Sequence, residues 1–251
     1  MIQLSVSQLA TLRDWFLPDR PGPLVGLHVI NTGNGTCLAD RWPAAQAVIV
    51  ETAGNYALAG DPAALAPAAL SGRIAGFVEA PQRFVPLLQR AFPNLRVWER
   101  VILELQTRPR IAPPSGYAVR RLSPADPEHL RALSPQAAWI SKTWGGPSGL
   151  ASSGFAWGAF ARGRLIAVAC TFFVGDRHED IGVVTDPAFR GLGLSTACAA
   201  ALCGDILDRG RRPSWSTSPD NAASVGVAQK LGFTLQRRDC LYVVEVAIPE
   251  P

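Results

Sequence analysis

The five cysteines (Cys37, Cys170, Cys198, Cys203 and Cys240) are odd in number and form no CxxC pair, which removes the usual disulfide and zinc spacings. They read as reduced, mostly buried thiols of a cytoplasmic protein, and no metal is expected. Charge is also in short supply. The chain has 24 Lys and Arg against 20 Asp and Glu, a net +4, and its basic residues are scattered apart from Arg209, Arg211 and Arg212. A nucleic-acid partner, which would show steep salt dependence, is not expected. The longest apolar run, Leu165 to Val174, is about half of what a bilayer span needs, so no membrane partner is expected either. No basic segment precedes an apolar one at the start of the chain. Leu9, Leu12 and Phe16 instead recur at helical spacing behind Ser7, a candidate N-cap, and mark an amphipathic helix rather than a signal peptide. Low-complexity segments and short repeats are missing too.

What remains is a sequence of 251 residues, 48% hydrophobic, enough for one large core or two modest ones. Its first part alternates strand-like runs (24–30, 47–52, 56–59, 74–78 and 95–105) with helix-like ones (62–70 and 81–91), a mixed α/β layer. Residues 106–116, QTRPRIAPPSG, break both periodicities with three prolines and a glycine. They mark a linker between domains 1–105 and 117–251. In the second part, strands are expected at 117–122, 154–161, 164–174, 180–185 and 214–217, with a closing pair at 233–236 and 242–246. Helices are expected around 128–133, 135–144, 192–208 and 222–231, and Arg162-Gly163 reads as a hairpin turn. The order fits a largely antiparallel sheet flanked by helices.

One stretch of that second part carries chemistry. In VVTDPAFRGLGLS, residues 183–195, a strand leads through a proline turn and a glycine loop into a helix. Loop amides and the first-turn donors of the helix converge there and attract an anion. Glycines 191 and 193 let a ligand approach without a Cβ in the way, and Arg190 adds a permanent charge suited to phosphate. A P-loop is excluded because no lysine follows either glycine. A dinucleotide fingerprint is poor, with Thr196 at its last glycine position and no acidic residue ending a strand about twenty residues on.

With Arg190 and Gly193 in place and Ser195 replacing the usual Gly or Ala, the run resembles the signature of the GNAT superfamily of acetyl-CoA-dependent N-acetyltransferases. A second segment, WSTSPDNAASVGVAQKLGF (215–233), adds Asn221 at a helix start and a Lys230-Leu231-Gly232-Phe233 ending, in the order and at the distance of that family. The same residues also serve as a helix cap, a helix stop and a strand start. The resemblance covers about residues 117–251 and looks most like the branch that includes the zwittermicin A resistance acetyltransferase, in which a divergent N-terminal half precedes the GNAT half. It implies an α/β (α+β) GNAT fold preceded by a smaller, degenerate GNAT-like half.

The resemblance also implies site residues. The pyrophosphate of acetyl-CoA would lie on the amides of Gly191, Leu192, Gly193, Leu194 and Ser195 beside Arg190, and its pantetheine arm along Val183, Val184 and Thr185. Asn221 would reach the cofactor near the thioester, with Ser224 one turn along. Transfer to an amine needs a base and an oxyanion donor. Glu179 and Asp180 are the candidate catalytic residues, on opposite faces of their strand, and the backbone near Val184 or Thr185 is the candidate donor. The tyrosine that many members place seven residues after the Asn is Ala228 here, although Ser216, Ser218 or Ser224 could carry a weak donor or a water. Trp139, Trp144 and the SKTWGGPSG loop would border the acceptor site or belong to the core. The expected activity is acetyl transfer to a small-molecule primary amine, such as an antibiotic or amino-acid-like metabolite, by a monomer or homodimer. The alternatives are a non-catalytic acyl-CoA sensor or sequestering protein, and a peptide or protein acetyltransferase.

Overall fold

The computed structural model describes residues 1–250. The first part runs β1 (Ile2–Leu4), α1 (Val6–Ala10), α2 (Val25–Thr32), β2 (Thr36–Ala39), β3 (Ala47–Thr52), β4 (Asn55–Gly60), β5 (Gly76–Glu79), α3 (Val85–Ala91) and β6 (Arg96–Glu104). The second runs β7 (Ala118–Arg121), α4 (Pro127–Arg131), α5 (Pro147–Ser153), β8 (Ala156–Ala161), β9 (Arg164–Val174), β10 (His178–Thr185), α6 (Leu194–Asp208), β11 (Arg212–Thr217), α7 (Ala222–Leu231) and β12 (Thr234–Val244). All twelve strands join one mixed, mostly antiparallel sheet in the order β1-β2-β3-β4-β5-β12-β6-β11-β10-β9-β8-β7. Strand β6, from before the 106–116 segment, lies between β11 and β12, which follow it. The two parts of the chain therefore share one sheet.

Several expected elements differ, each for a local reason. Residues 24–30 form helix α2 rather than a strand. Val25 to Ile30 are buried all round, so the run shows no polar face by which to tell a buried helix from a buried strand, and Gly33 ends it at φ 74. The helix after the first strand is capped by Ser5, not Ser7, in a capping box with Gln8, and ends at Ala10; a separate 3-10 turn carries Arg13–Phe16. Residues 62–70 hold two proline-led 3-10 turns, and Pro135–Trp144 is also 3-10. The expected closing pair is one eleven-residue strand, β12, whose QRRDC middle pairs with β6 instead of turning. The hairpin at Arg162-Gly163 is present, with φ of 49 and 78.

Helices α6 and α7 cover one face of β8 to β11, and the core beneath them holds Ile166, Ile181, Cys198, Ile206, Trp215 and Leu231. Burial of the Trp215 indole alone is worth about 5 kcal/mol by transfer, and its Nε1 donates to Ser224 Oγ at 3.0 Å. On the opposite face, α2 lies over β3 and β9, and the Pro135–Trp144 turn over β9 and β10. The middle of that face is crossed by the loop before α2, where the Gly22 amide donates to Ser214 Oγ at 2.7 Å and Arg237 donates to the Pro21 carbonyl at 2.6 Å. Asp19 fixes this loop by accepting from the Asp176 and Arg177 amides at 2.5 and 2.7 Å and bonding His178 Nδ1 at 2.6 Å.

Candidate active site

The site is built on a strand separation. Strands β10 and β11 are parallel and paired over His178–Arg212, Glu179–Pro213 and Asp180–Ser214, and no further. β10 stays on β9 as far as Thr185, with a bulge between Asp180 and Ile181, while β11 turns away along β6 to Thr217. From Ile181 onward the β11-facing edge of β10 has no strand beside it. Val183, Val184 and Thr185 are half-buried along this edge, and the Thr185 hydroxyl is buried without a hydrogen-bond partner. An extended chain laid here would find backbone donors and acceptors as an added strand does.

At the outer end of β10, Asp186 caps a short 3-10 turn through Ala188 N, and the chain then enters α6 through Arg190 to Gly193. Gly191 and Gly193 hold φ of 78 and 76, conformations that suit glycine. A Cβ on Gly191 would meet nothing within 4 Å, and one on Gly193 only Pro114 Cγ at 3.9 Å. Gly193 is the N-cap and supplies no side chain, so the first-turn amides of this fifteen-residue helix have no side-chain cap. Arg190 is exposed beside them and joins none of the ion pairs among the described residues. Open space, free donors and an unpaired cation fit a diphosphate, and the bare edge of β10 fits the amide-bearing arm of acetyl-CoA.

Asn221 and Ser224 have local partners. Asn221 Oδ1 caps α7 by accepting from Ser224 N at 2.9 Å, and Ser224 Oγ accepts from Trp215. Ala228, at the tyrosine position, is wholly buried against the core beneath α6.

The two candidate acids sit in different surroundings. Glu179 is fully buried and its carboxylate accepts four hydrogen bonds: from Thr171 Oγ1 at 2.5 Å, from Arg209 at 2.9 and 2.7 Å and from Arg211 at 3.1 Å. Asp180 accepts on Oδ1 from Ser214 Oγ at 2.8 Å and Ser216 Oγ at 2.9 Å. Burial pushes its carboxyl up to about 6, against the pull of the two hydroxyls and of Arg100 and Arg237. It stands at the vertex where β10 and β11 part. An acid there takes up a proton near neutral pH, whereas Glu179 is held by two guanidinium groups.

The same face carries residues that the strand pattern did not single out. Trp98, Arg100, Ile102 and Glu104 alternate on one side of β6, and Arg100 donates to the Ser216 carbonyl at 2.9 Å while its guanidinium lies 4.1 Å from the Trp98 ring centre. Glu79, at the end of β5, is raised by burial to about 8. The signal available in the sequence was Arg96, Arg100 and Glu104, charges that recur every fourth residue along one side of β6. Of the two tryptophans, Trp144 is buried and donates to the Thr171 carbonyl at 2.7 Å, a core residue. Trp139 is 38% exposed, meets Phe172 edge-on, and lies 3.2 Å from where a Cβ on Gly182 would be, so it borders the open edge of β10.

Known proteins resemble this chain in sequence and in fold. A protein of Streptomyces virginiae, described as an uncharacterised N-acetyltransferase in the mutA 5′ region, is 44% identical over 214 residues, which cover 83% of this chain and 90% of that one. The crystal structure of a GCN5-related N-acetyltransferase-like protein from Streptococcus suis superposes with a TM-score of 0.70 at 18% identity, covering 96% of this chain and 99% of that one. A tandem GNAT protein from the clavulanic acid biosynthesis pathway gives a TM-score of 0.59 at 13% identity over 96% of each chain. At such identities these two structures share the fold. The model of the GNAT acetyltransferase family matches residues 24–242, reaching well ahead of the 117–251 segment that the motifs cover, as the insertion of β6 between β11 and β12 requires. The chain belongs to the GNAT acetyltransferase family.

Proposed function

We propose that this protein transfers an acetyl group from acetyl-CoA to a primary amine of a small molecule, by direct attack in a ternary complex, with Asp180 as the general base. The observation that carries the reading is the parting of β10 and β11 at Asp180, with the uncapped start of α6 at the other end of the same strand. The amides of Gly191 to Ser195 and Arg190 would hold the diphosphate, and Val183 to Thr185 would align the arm along the free edge. Bound acetyl-CoA would supply a thioester whose C–S bond gives way to the new N–C bond, CoA leaving as the thiolate and taking up the proton that the acylated nitrogen sheds. Asp180 takes the proton from the incoming ammonium group, and its position between two serine hydroxyls keeps the carboxylate oriented. Glu179 orders Arg209 and Arg211 and takes no part in proton transfer. The likeness of the motif phrases to the zwittermicin A resistance branch supports an antibiotic or metabolite over a peptide.

A second reading, an acyl-CoA sensor without turnover, is favoured by one observation: the position of the family's tyrosine is a buried alanine, Ala228. A thiolate with a parent pKa of ~8.5 leaves without obligatory help from an acid, which keeps catalysis the stronger reading. Calorimetric titration with acetyl-CoA, with NADH and ATP as controls, tests both. Micromolar binding of acetyl-CoA alone, followed by thiol release with an amine panel, is expected. Binding without release from any amine selects the sensor, and no binding by the folded protein removes both.

A further inference from the structure

Beside the carboxylate that would accept the amine's proton lies a guanidinium that has no anion. Arg100 is half-buried on β6, and among the described residues no carboxylate reaches it within ion-pair distance. Its Nε is buried without any hydrogen-bond partner. Trp98 stacks on the group at 4.1 Å and the Ser216 carbonyl accepts from it at 2.9 Å, so the charge is held in one place. Of the other guanidiniums of this face, Arg20 acts on Glu79, and Arg237 is already engaged by Asp239 at 2.9 Å and by the Pro21 carbonyl. A charge removed from water and left unpaired is costly, and a fixed planar fork is suited to an oxyanion.

Ser216 relates this guanidinium to the base. Its hydroxyl donates to Asp180 and its carbonyl accepts from Arg100, so one residue separates the proton acceptor from the cation. A ligand bridging them carries an amine and an anionic group a few bonds apart. The Arg100 guanidinium, with the Asp180 and Asp220 carboxylates exerting their field on it, suits a single negative charge rather than a dianion.

We infer that the acceptor is a small amine that also bears a carboxylate, of the amino-acid type, and that Arg100 is the residue that selects it by pairing with that carboxylate. The inference rests on the acetyl-transfer reading and adds the chemical class of the second substrate. Arg100 takes no part in proton transfer; it sets which amines are positioned against Asp180.

The test uses matched pairs: common amino acids in both enantiomers, each against its carboxamide and its decarboxylated amine. Binding to the full chain saturated with CoA is read by calorimetry, and acetylation by thiol release. Acids are expected to surpass their neutral partners by roughly 10- to 100-fold, the range for a hydrogen bond to a charged group. In Arg100→Gln the ratio between acid and carboxamide should collapse toward one, and Arg100→Lys should restore part of it; the lysine variant also covers the case in which glutamine impairs folding. A wild-type preference for the neutral members, binding of no acid, or an equal loss of both classes in Arg100→Gln overturns the inference. Failure of the acetyl-transfer reading is separate, since it is read in the prior titration with acetyl-CoA.

Discussion

Asp180 and Ser214 face each other at the last paired position of β10 and β11, and the Ser214 hydroxyl donates to the Asp180 carboxylate at 2.8 Å. The bond places an acid with a raised pKa at the point from which the two strands diverge. Its protonation and the opening of the site thus depend on the same backbone feature.

Asp180→Asn keeps the size of the side chain and an acceptor for both serines but removes the proton acceptor. We expect kcat to fall by roughly 10²- to 10⁴-fold with acetyl-CoA affinity retained. Because the base must be ionised, wild-type kcat/KM should rise with pH and level off above about 6. Stability should move the other way. The folded pKa of about 6 exceeds the ordinary 3.8, so this group's contribution is full below pH 3.8 and declines as pH rises to about 6, by on the order of 3 kcal/mol. A pH–rate profile of both proteins decides it: an unaltered limb at pH 6 with turnover preserved in the variant puts the base elsewhere.

Gly193 tests the diphosphate loop. Since a Cβ there points into open space, Gly193→Ala adds left-handed strain of about 1 kcal/mol and little else to the free protein. Gly193→Asp places a carboxylate where phosphate would lie. Calorimetry should show weakened acetyl-CoA binding in the first and none in the second, with melting temperatures within a few degrees of wild type. Full affinity in Gly193→Asp would mean that the loop is only a turn.

The glycine loop, the Asn221 cap and the helices behind them were legible in the sequence because each is specified by neighbours within a few residues: Gly191 and Gly193 by their φ, Asn221 by its bond to Ser224. Helix α2 was not, since residues buried on every side carry no periodic signal. Nor was the choice between Glu179 and Asp180. Alternation places them on opposite faces, and only Arg209 on one side and Ser214 on the other, brought there by the sheet order, give them different chemistry. Arg100 becomes visible as part of the site for the same reason: β6 is inserted beside β11, a pairing that no local pattern announces.

Glu179 carries the opposite expectation to its neighbour. Glu179→Ala leaves the Arg209 and Arg211 guanidiniums facing each other without a carboxylate, and a broken buried pair costs about 3–5 kcal/mol. Glu179→Gln, which keeps the size of the side chain and one of its two acceptor oxygens, should lose less. In both, turnover per folded molecule should stay within a few-fold of wild type. Urea unfolding measured beside activity separates the outcomes, and a 10²-fold loss of kcat in a fully folded Glu179→Gln would return the role of base to this residue.

His28 should make the protein acid-sensitive well above the carboxylate range. It is fully buried on α2, where its Nε2 donates to the Thr143 carbonyl at 2.9 Å and its Nδ1 accepts from the Val174 amide at 3.1 Å. Both ring nitrogens are used in the neutral form, and a proton on Nδ1 breaks the bond to Val174. Burial pulls the pKa down to about 4 from the ordinary 6.5, against the pull of the Thr143 carbonyl. The unfolded chain therefore takes up a proton that the fold refuses. This contribution is complete above pH 6.5 and is lost as pH falls to about 4, by on the order of 3 kcal/mol. Because α2 meets β9 and the 3-10 turn of Pro135–Trp144 through these bonds, the loss loosens the wall that carries Trp139 beside the open edge of β10. His28→Gln should be less stable at pH 7 but show a flatter dependence between pH 6.5 and 4. Parallel slopes for the two proteins in urea unfolding across that range would assign the acid sensitivity to other groups.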